Sequence, residues 1–133
     1  MSGKIQYLSE EWRAEAERRL KAEITPEKMK NMTASLANVF HNCPDGNAWW
    51  LFFGYENGEL ARLEVGQGDP PAAEFTVSGD YDVFARISRA ELGSQRALMT
   101  GKLKLKGNMV KALKLASVVD RLNKVLAGIE AEY

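Results

Sequence analysis

The sequence predicts an α+β fold, because three strand patterns follow one another between residues 33 and 66 and helical periodicity flanks them at both ends of the chain. The turn residues between those strands are the ones antiparallel hairpins use. With 133 residues the chain is sized for one domain, 1–133, around a single core. Its hydrophobic share of 45% and charged share of 27% are those of an ordinary globular protein.

The first element is an amphipathic helix over 9–24. Ser9 can cap it, Glu10 and Glu11 suit its positive end, and Leu8, Trp12, Ala16, Leu20 and Ile24 recur every fourth residue as one narrow apolar stripe. Glu15–Arg19 and Glu17–Lys21 stand in the favourable i, i+4 order on the solvent side. Thr25 followed by Pro26 signals a second, short helix. Cys43-Pro44-Asp45-Gly46-Asn47 reads as a turn, and Asn57-Gly58 fits a type I′ hairpin. Between them, Ala48 to Tyr55 is apolar at odd and even positions alike, so both faces of that strand should be covered. Glu59 to Val65 alternates as a third strand.

Beyond the Gly66–Pro71 break, Phe75-Thr76-Val77 makes a short fourth strand. Gly79-Asp80 offers a helix start ahead of Tyr81, Phe84, Ala85 and Ile87. Ser94 can cap a short helix holding Leu98 and Met99, with Gly101 as its stop. Lys102 to Lys106 is a strict period-two strand with one apolar and one cationic face. Asn108 opens a C-terminal helical segment, 108–129, with two apolar stripes: Met109, Ala112, Leu113 and Ala116 on one, Leu115, Val118, Val119, Leu122, Leu126 and Ile129 on the other. Either the helix breaks near Ala116-Ser117 or it meets apolar material on two sides.

Charge and composition restrict the function classes. The chain is neutral overall, yet residues 96–133 carry eight cationic against three acidic side chains, a net +5. A neutral chain whose lysine cluster lacks interleaved aromatics is a poor nucleic-acid binder. The longest apolar run, Ala48 to Phe53, is far short of the ~18 residues of a membrane helix, and Met1–Tyr7 holds no run of signal-peptide length. A single cysteine excludes an internal disulfide framework, and the cytoplasm is the expected location. His41 and Cys43, two apart, could be imagined as a thiol–imidazole or metal pair. The turn begins at once and no further Cys or His exists, so a structural role is expected. Asp80 and Asp82 are better explained as helix-start residues than as paired carboxylates, and Gly66-Gln67-Gly68 runs into prolines and not into the helix a nucleotide loop needs.

The stretch Ala97-Leu98-Met99-Thr100 followed by Gly101-Lys102-Leu103-Lys104-Leu105-Lys106-Gly107-Asn108 resembles the signature of the sterol carrier protein-2 (sterol-transfer) domain family. In that family a short helix ends in glycine, a Gly-Lys-Leu-Lys-Leu-Lys-Gly strand follows, and Gly-Asn or Gly-Asp opens the final helix. Ala73 to Ser78 followed by Gly79-Asp80 looks like the family's fourth strand and next helix start, and with the Asn57-Gly58 hairpin the resemblance spans most of residues 25–127. It implies a curved five-stranded sheet, mixed but mainly antiparallel, covered by helices, with an apolar tunnel between sheet and helices. It implies binding of fatty acid, fatty acyl-CoA, phospholipid or a sterol-like ligand, with no cofactor and no chemical step. The chain ends Ala131-Glu132-Tyr133 without a Ser-Lys-Leu-type address, so no peroxisomal role is carried over, and nothing selects a sterol.

Candidates for the tunnel lining are Trp50 and Phe52, Phe75 and Val77, Phe84 and Ile87, and Leu98 and Met99. Leu103 and Leu105 join them, as do Met109, Leu113 and Leu115. Read without the resemblance, the same side chains make an ordinary core. Lys102, Lys104 and Lys106 have three readings: a contact for an anionic headgroup, a transient contact with an anionic membrane, or charges that keep an edge strand from pairing. A 16-carbon chain at about 0.8 kcal/mol per methylene gains roughly 12 kcal/mol on burial. Association costs of about 4–15 kcal/mol bring that into the range of a carrier that both binds and releases. The expectation is therefore noncatalytic binding and transfer of a lipid. Alternatives are a dimerisation or enzyme-docking module using the Trp49/Trp50 strand or the C-terminal helix and, third, a small enzyme with Cys43 as nucleophile.

Overall fold

The computed structural model describes residues 5–89 and 91–132, without the side chains of 114–117. In chain order the elements are β1 (Ile5–Gln6), α1 (Glu10–Glu23), β2 (Ala34–His41), β3 (Trp49–Glu56), β4 (Glu59–Gln67) and β5 (Phe75–Asp80). They continue with α2 (Tyr81–Ser88), α3 (Ser94–Met99), β6 (Leu103–Lys106), α4 (Met109–Ala127) and β7 (Ala131–Glu132). Five strands form one sheet in the order β4-β3-β2-β5-β6. Only the central β2–β5 pair in it is parallel, so the α+β class and the mixed, mainly antiparallel sheet are as expected. β1 and β7 make a separate parallel pair that joins the two ends of the described chain. Two residues apiece are too short to leave a periodic signal.

α1 forms as its sequence dictates. The Ser9 hydroxyl accepts from Trp12 N–H at 3.1 Å, and Leu8, Trp12, Ala16, Leu20 and Ile24 are all buried. The stripe packs against β4 and α4, and Arg13 donates to the Leu63 carbonyl at 3.2 Å. Thr25–Pro26 does not start a helix. Residues 26–31 form a turn in which Asn31 N–H reaches the Pro26 carbonyl at 2.9 Å; Lys30 and Asn31 take φ of 56° and 52°, and two successive left-handed residues stop propagation.

The β3–β4 hairpin turns at Asn57 (φ 51°) and Gly58 (φ 83°), the double positive φ of a type I′ turn. Its register decides which β4 side chains join those of β3 beneath the helices. Without interruption, Phe52 would lie opposite Leu63 and Trp50 opposite Val65. A shift at Gly54/Tyr55 leaves Ala61 unpaired and sets Phe53 opposite Leu63 and Leu51 opposite Val65. Leu63 therefore joins Leu51, Phe53 and Tyr55 in the core beneath the helices. Trp50 and Phe52 point to the other face, which sheet side chains cover: Arg62 lies 4.8 Å from the Phe52 ring centroid, and the Trp50 ring lies so close to Gly66 that a Cβ there would meet it at 2.5 Å.

α2 follows Asp80 directly and buries Tyr81, Phe84, Ala85 and Ile87. α3 has Gly93, and not Ser94, at its cap position; the Ser94 hydroxyl instead hydrogen-bonds Asp120 at 2.8 Å, fixing α3 beside α4. α4 is one unbroken helix capped by the Asn108 side chain, which accepts from Lys111 N–H at 3.0 Å. Of its two stripes, Val118, Leu122, Leu126 and Ile129 are buried, whereas Met109 and Leu113 face outward.

Candidate functional site

Between the sheet and the helices lies a cavity of about 110 Å³. Strand alternation selects its floor: Leu36 and Asn38 of β2, Leu51, Phe53 and Tyr55 of β3, Phe75 and Val77 of β5, and Leu103 and Leu105 of β6 all lie on one face. Its roof comes from Phe84 and Ile87 of α2, Leu98 of α3, and Ala112, Val118, Leu122 and Leu126 of α4. Met29 and Met32 of the 26–31 turn region close the β3 end. Phe75 is buried but lies outside the packed core cluster; its ring faces the void and carries the Lys111 ammonium 5.9 Å from its centroid.

The cavity joins Phe75, Val77, Phe84, Ile87, Leu98, Leu103 and Leu105 among the residues the sequence nominated. Trp50 and Phe52, which alternate with Leu51, Phe53 and Tyr55 along β3, lie on the opposite sheet face. Met99, Met109 and Leu113 lie at the surface, at 76%, 47% and 39% exposure, because none of the described residues covers the end of α3 or the start of α4. The side chain of Leu115 lies outside the described residues. Lys104 and Lys106 alternate with Leu103 and Leu105 and so project from the face away from the cavity, and Lys102 is exposed ahead of the strand; none lines the void as a headgroup contact there would require. Sequence reasoning missed Leu51, Phe53, Tyr55, Met29, Val118 and Leu122. The signals were present: the opposite parity of β3 and the second stripe of α4.

Among the described residues no lining side chain carries a charge. The hydroxyls of Tyr7 and Ser88 hydrogen-bond one another at 2.9 Å, and Ser94 is held by Asp120. The Tyr55 hydroxyl is buried with no hydrogen-bond partner among the described residues, and burial pushes its phenol above the ordinary range. Such a lining can take up an apolar chain.

A second hollow, about 310 Å³, is bordered by Tyr7, Ser9, Cys43, Asp45, Trp49 and Tyr81. Its chemistry is spent on structure: Asp45 accepts from Asn47 N–H and from the Trp49 indole at 2.8 Å. Cys43 is buried in the turn, and burial, with the Asp45 carboxylate nearby, pushes its thiol up, away from the thiolate a nucleophile needs. His41, at the end of β2, is exposed, so the two soft ligands do not share a face. Asp80 stands at the N-cap position of α2 without a side-chain capping bond, its carboxylate accepting instead from the Asn42 amide at 2.8 Å. Among the described residues no group of three His, Cys, Asp or Glu side chains could hold a metal, and no helix is long and apolar enough to cross a membrane.

The chain is similar to hydroxysteroid dehydrogenase-like protein 2 of Bos taurus, 34% identical over 83 residues, which are 62% of this chain and 19% of that protein. The chain thus spans about a fifth of that relative. It is also 29% identical over 98 residues to the oleate-induced peroxisomal protein POX18 of Candida maltosa, covering 73% of this chain and 74% of that one. Among solved structures, a crystal structure of sterol carrier protein 2 superposes with a TM-score of 0.81 at 21% identity, over 93% of this chain and 99% of that one. The palmitated SCP2L2 of Aedes aegypti superposes at 0.60 and 22% identity, over 84% and 94%. The model of the SCP-2 sterol transfer family matches residues 15–120, which takes in the sheet, α2, α3 and most of α1 and α4. The chain belongs to the SCP-2 sterol transfer family.

Proposed function

We propose that this chain is a noncatalytic carrier that binds and transfers a lipid, with the acyl or ring portion of the ligand between the sheet and α4. The ligand classes in view are fatty acid, fatty acyl-CoA, phospholipid and sterol-like molecules. The observation that carries this reading is the cavity itself, mainly apolar and without a charged group among the described residues. Family membership and the palmitated mosquito neighbour support it.

The size of the void sets a condition. At about 110 Å³ it is well below the roughly 300 Å³ at which small-molecule sites begin, so a full acyl chain enters only if part of the roof yields. The first turn of α4, with small Ala112 over the cavity and its other side chains exposed, gives way at least cost. For exchange, the reading includes transient contact with an anionic membrane and excludes nucleic acid. It assigns the chain to the cytoplasm; fractionation against a peroxisomal marker tests this, since the Candida relative is named as peroxisomal.

Native mass spectrometry of the purified chain, before and after organic extraction, tests the carrier reading. A co-purifying mass of lipid size that extraction removes is expected; extraction-insensitive apo protein that self-associates favours a docking module. Leu105→Glu puts a charge into the lining and should weaken binding of a fluorescent fatty acid at least tenfold. Unchanged binding contradicts the placement of the ligand over β6.

A further inference from the structure

All the exposed large hydrophobic side chains among the described residues fall within fifteen positions: Met99 at 76%, Met109 at 47%, Val110 at 65% and Leu113 at 39%. They sit at the end of α3 and within the first five residues of α4, before and after the edge strand β6 along the chain. Their neighbours in sequence, Leu98 and Ala112, line the cavity and are themselves partly exposed, so the outer apolar surface runs into the cavity lining. An apolar surface of this kind needs an occupant.

Charge identifies it. Between Glu91 and Asp120 the chain holds Arg96, Lys102, Lys104, Lys106, Lys111 and Lys114 and no acidic residue. Lys111 is met by Glu74, whereas Lys102, Lys104 and Lys106 are exposed and without a salt-bridge partner among the described residues. Exposed methionine, valine and leucine set among cations suit the acyl boundary of an anionic bilayer, where apolar side chains insert and lysines meet phosphates. We propose that the end of α3, β6 and the first turn of α4 form a docking surface for anionic phospholipid membranes. Seated there, the first turn of α4 can lift from the sheet against lipid and not against water, which is where the cavity must widen to load. The proposal rests on the carrier reading for its purpose, though not for its measurement.

The experiment is co-sedimentation of the full chain with vesicles of phosphatidylcholine containing 30% phosphatidylserine, and with pure phosphatidylcholine, at low and high salt. Fatty-acid binding is measured in parallel without vesicles. Binding to the anionic vesicles that high salt reverses is expected, each unpaired lysine being worth about five-fold in partitioning. Met99→Glu/Val110→Glu, both outside the cavity lining, should lower vesicle partitioning at least tenfold and leave vesicle-free fatty-acid binding within two-fold. Equal binding to neutral vesicles, or undiminished binding of the double variant, overturns the proposal. So does a dimer in analytical ultracentrifugation that the double variant abolishes, since a second copy would then be the occupant. Loss of fatty-acid binding by the unmodified chain with vesicle binding intact removes the carrier reading; the converse removes the docking surface.

Discussion

The two halves of α4 are built from similar residues and meet opposite fates. In the C-terminal half, Val118, Leu122 and Leu126, with Ile129 just beyond, are 2–4% exposed; in the N-terminal half, Met109, Val110 and Leu113 are 39–65% exposed. The difference is one of partners. The C-terminal half has α1 across from it, with Arg19 donating to the Gly128 carbonyl at 3.0 Å and Arg121 to the Lys28 carbonyl at 3.0 Å. The N-terminal half follows β6, a four-residue edge strand, and among its described side chains lends only Ala112 to the cavity roof. Hydrophobicity sets what a helix can bury, and topology decides whether anything is there to bury it. In this fold the topology withholds cover at the end that the proposed carrier reading requires to open.

The contrast is sharpest in stability. Ile129→Ala should cost about 2–5 kcal/mol, the range for truncating a buried aliphatic side chain, whereas Leu113→Ala should stay within about 0.5 kcal/mol. Urea denaturation of both variants measures this. Equal losses would mean that the first turn of α4 is packed in solution, which would remove the open end. A smaller effect is expected at the deep end of the cavity. Tyr55→Phe removes a buried hydroxyl that has no partner among the described residues and should stabilise the ligand-free chain by about 1 kcal/mol. If it destabilises by that amount instead, the hydroxyl is paired, and the β3 end of the cavity is more polar than its lining suggests.

Much of this architecture could be read from residues with strong local rules. Ser9, Asn57-Gly58, Gly101 and Asn108 each punctuate the chain where the sequence puts them, and the every-fourth-residue stripe of α1 is buried along its length. What could not be read is parity. β3 is apolar at every position from Trp49 to Phe53, so alternation alone offers two equal faces, and only the elements packed on each side distinguish them. Leu51, Phe53 and Tyr55 face the cavity, Trp50 and Phe52 lie on the other face, and the shift brings Leu63 and Val65 of β4 onto the side of Leu60. The two stripes of α4 posed the same problem in helical form. Periodicity located both but could not say which had a sheet beneath it. Strand β6 was legible in full, both its inward leucines and its outward lysines, because its two faces differ in charge.

The smallest effect concerns the clasp that holds the covered half of α4. Glu15 accepts from Arg18 and, at 2.7 Å, from Arg19, whose other nitrogen reaches Gly128; these guanidiniums hold the Glu15 carboxyl down at about 2. A carboxyl depressed in the folded state stabilises above its unfolded value, and that contribution is lost as pH falls through the folded one. The window therefore runs from about 4.5 down to about 2. Because the pair is exposed, salt and side-chain entropy reduce its worth. Thermal denaturation across that window should show the unmodified chain losing slightly more stability than Glu15→Gln, with the gap closing at the acid end and in high salt. A gap that stays constant with pH would show that Glu15 does not tension the clasp. The C-terminal half of α4 would then be held by its apolar contacts alone, as the burial of Leu126 and Ile129 would allow.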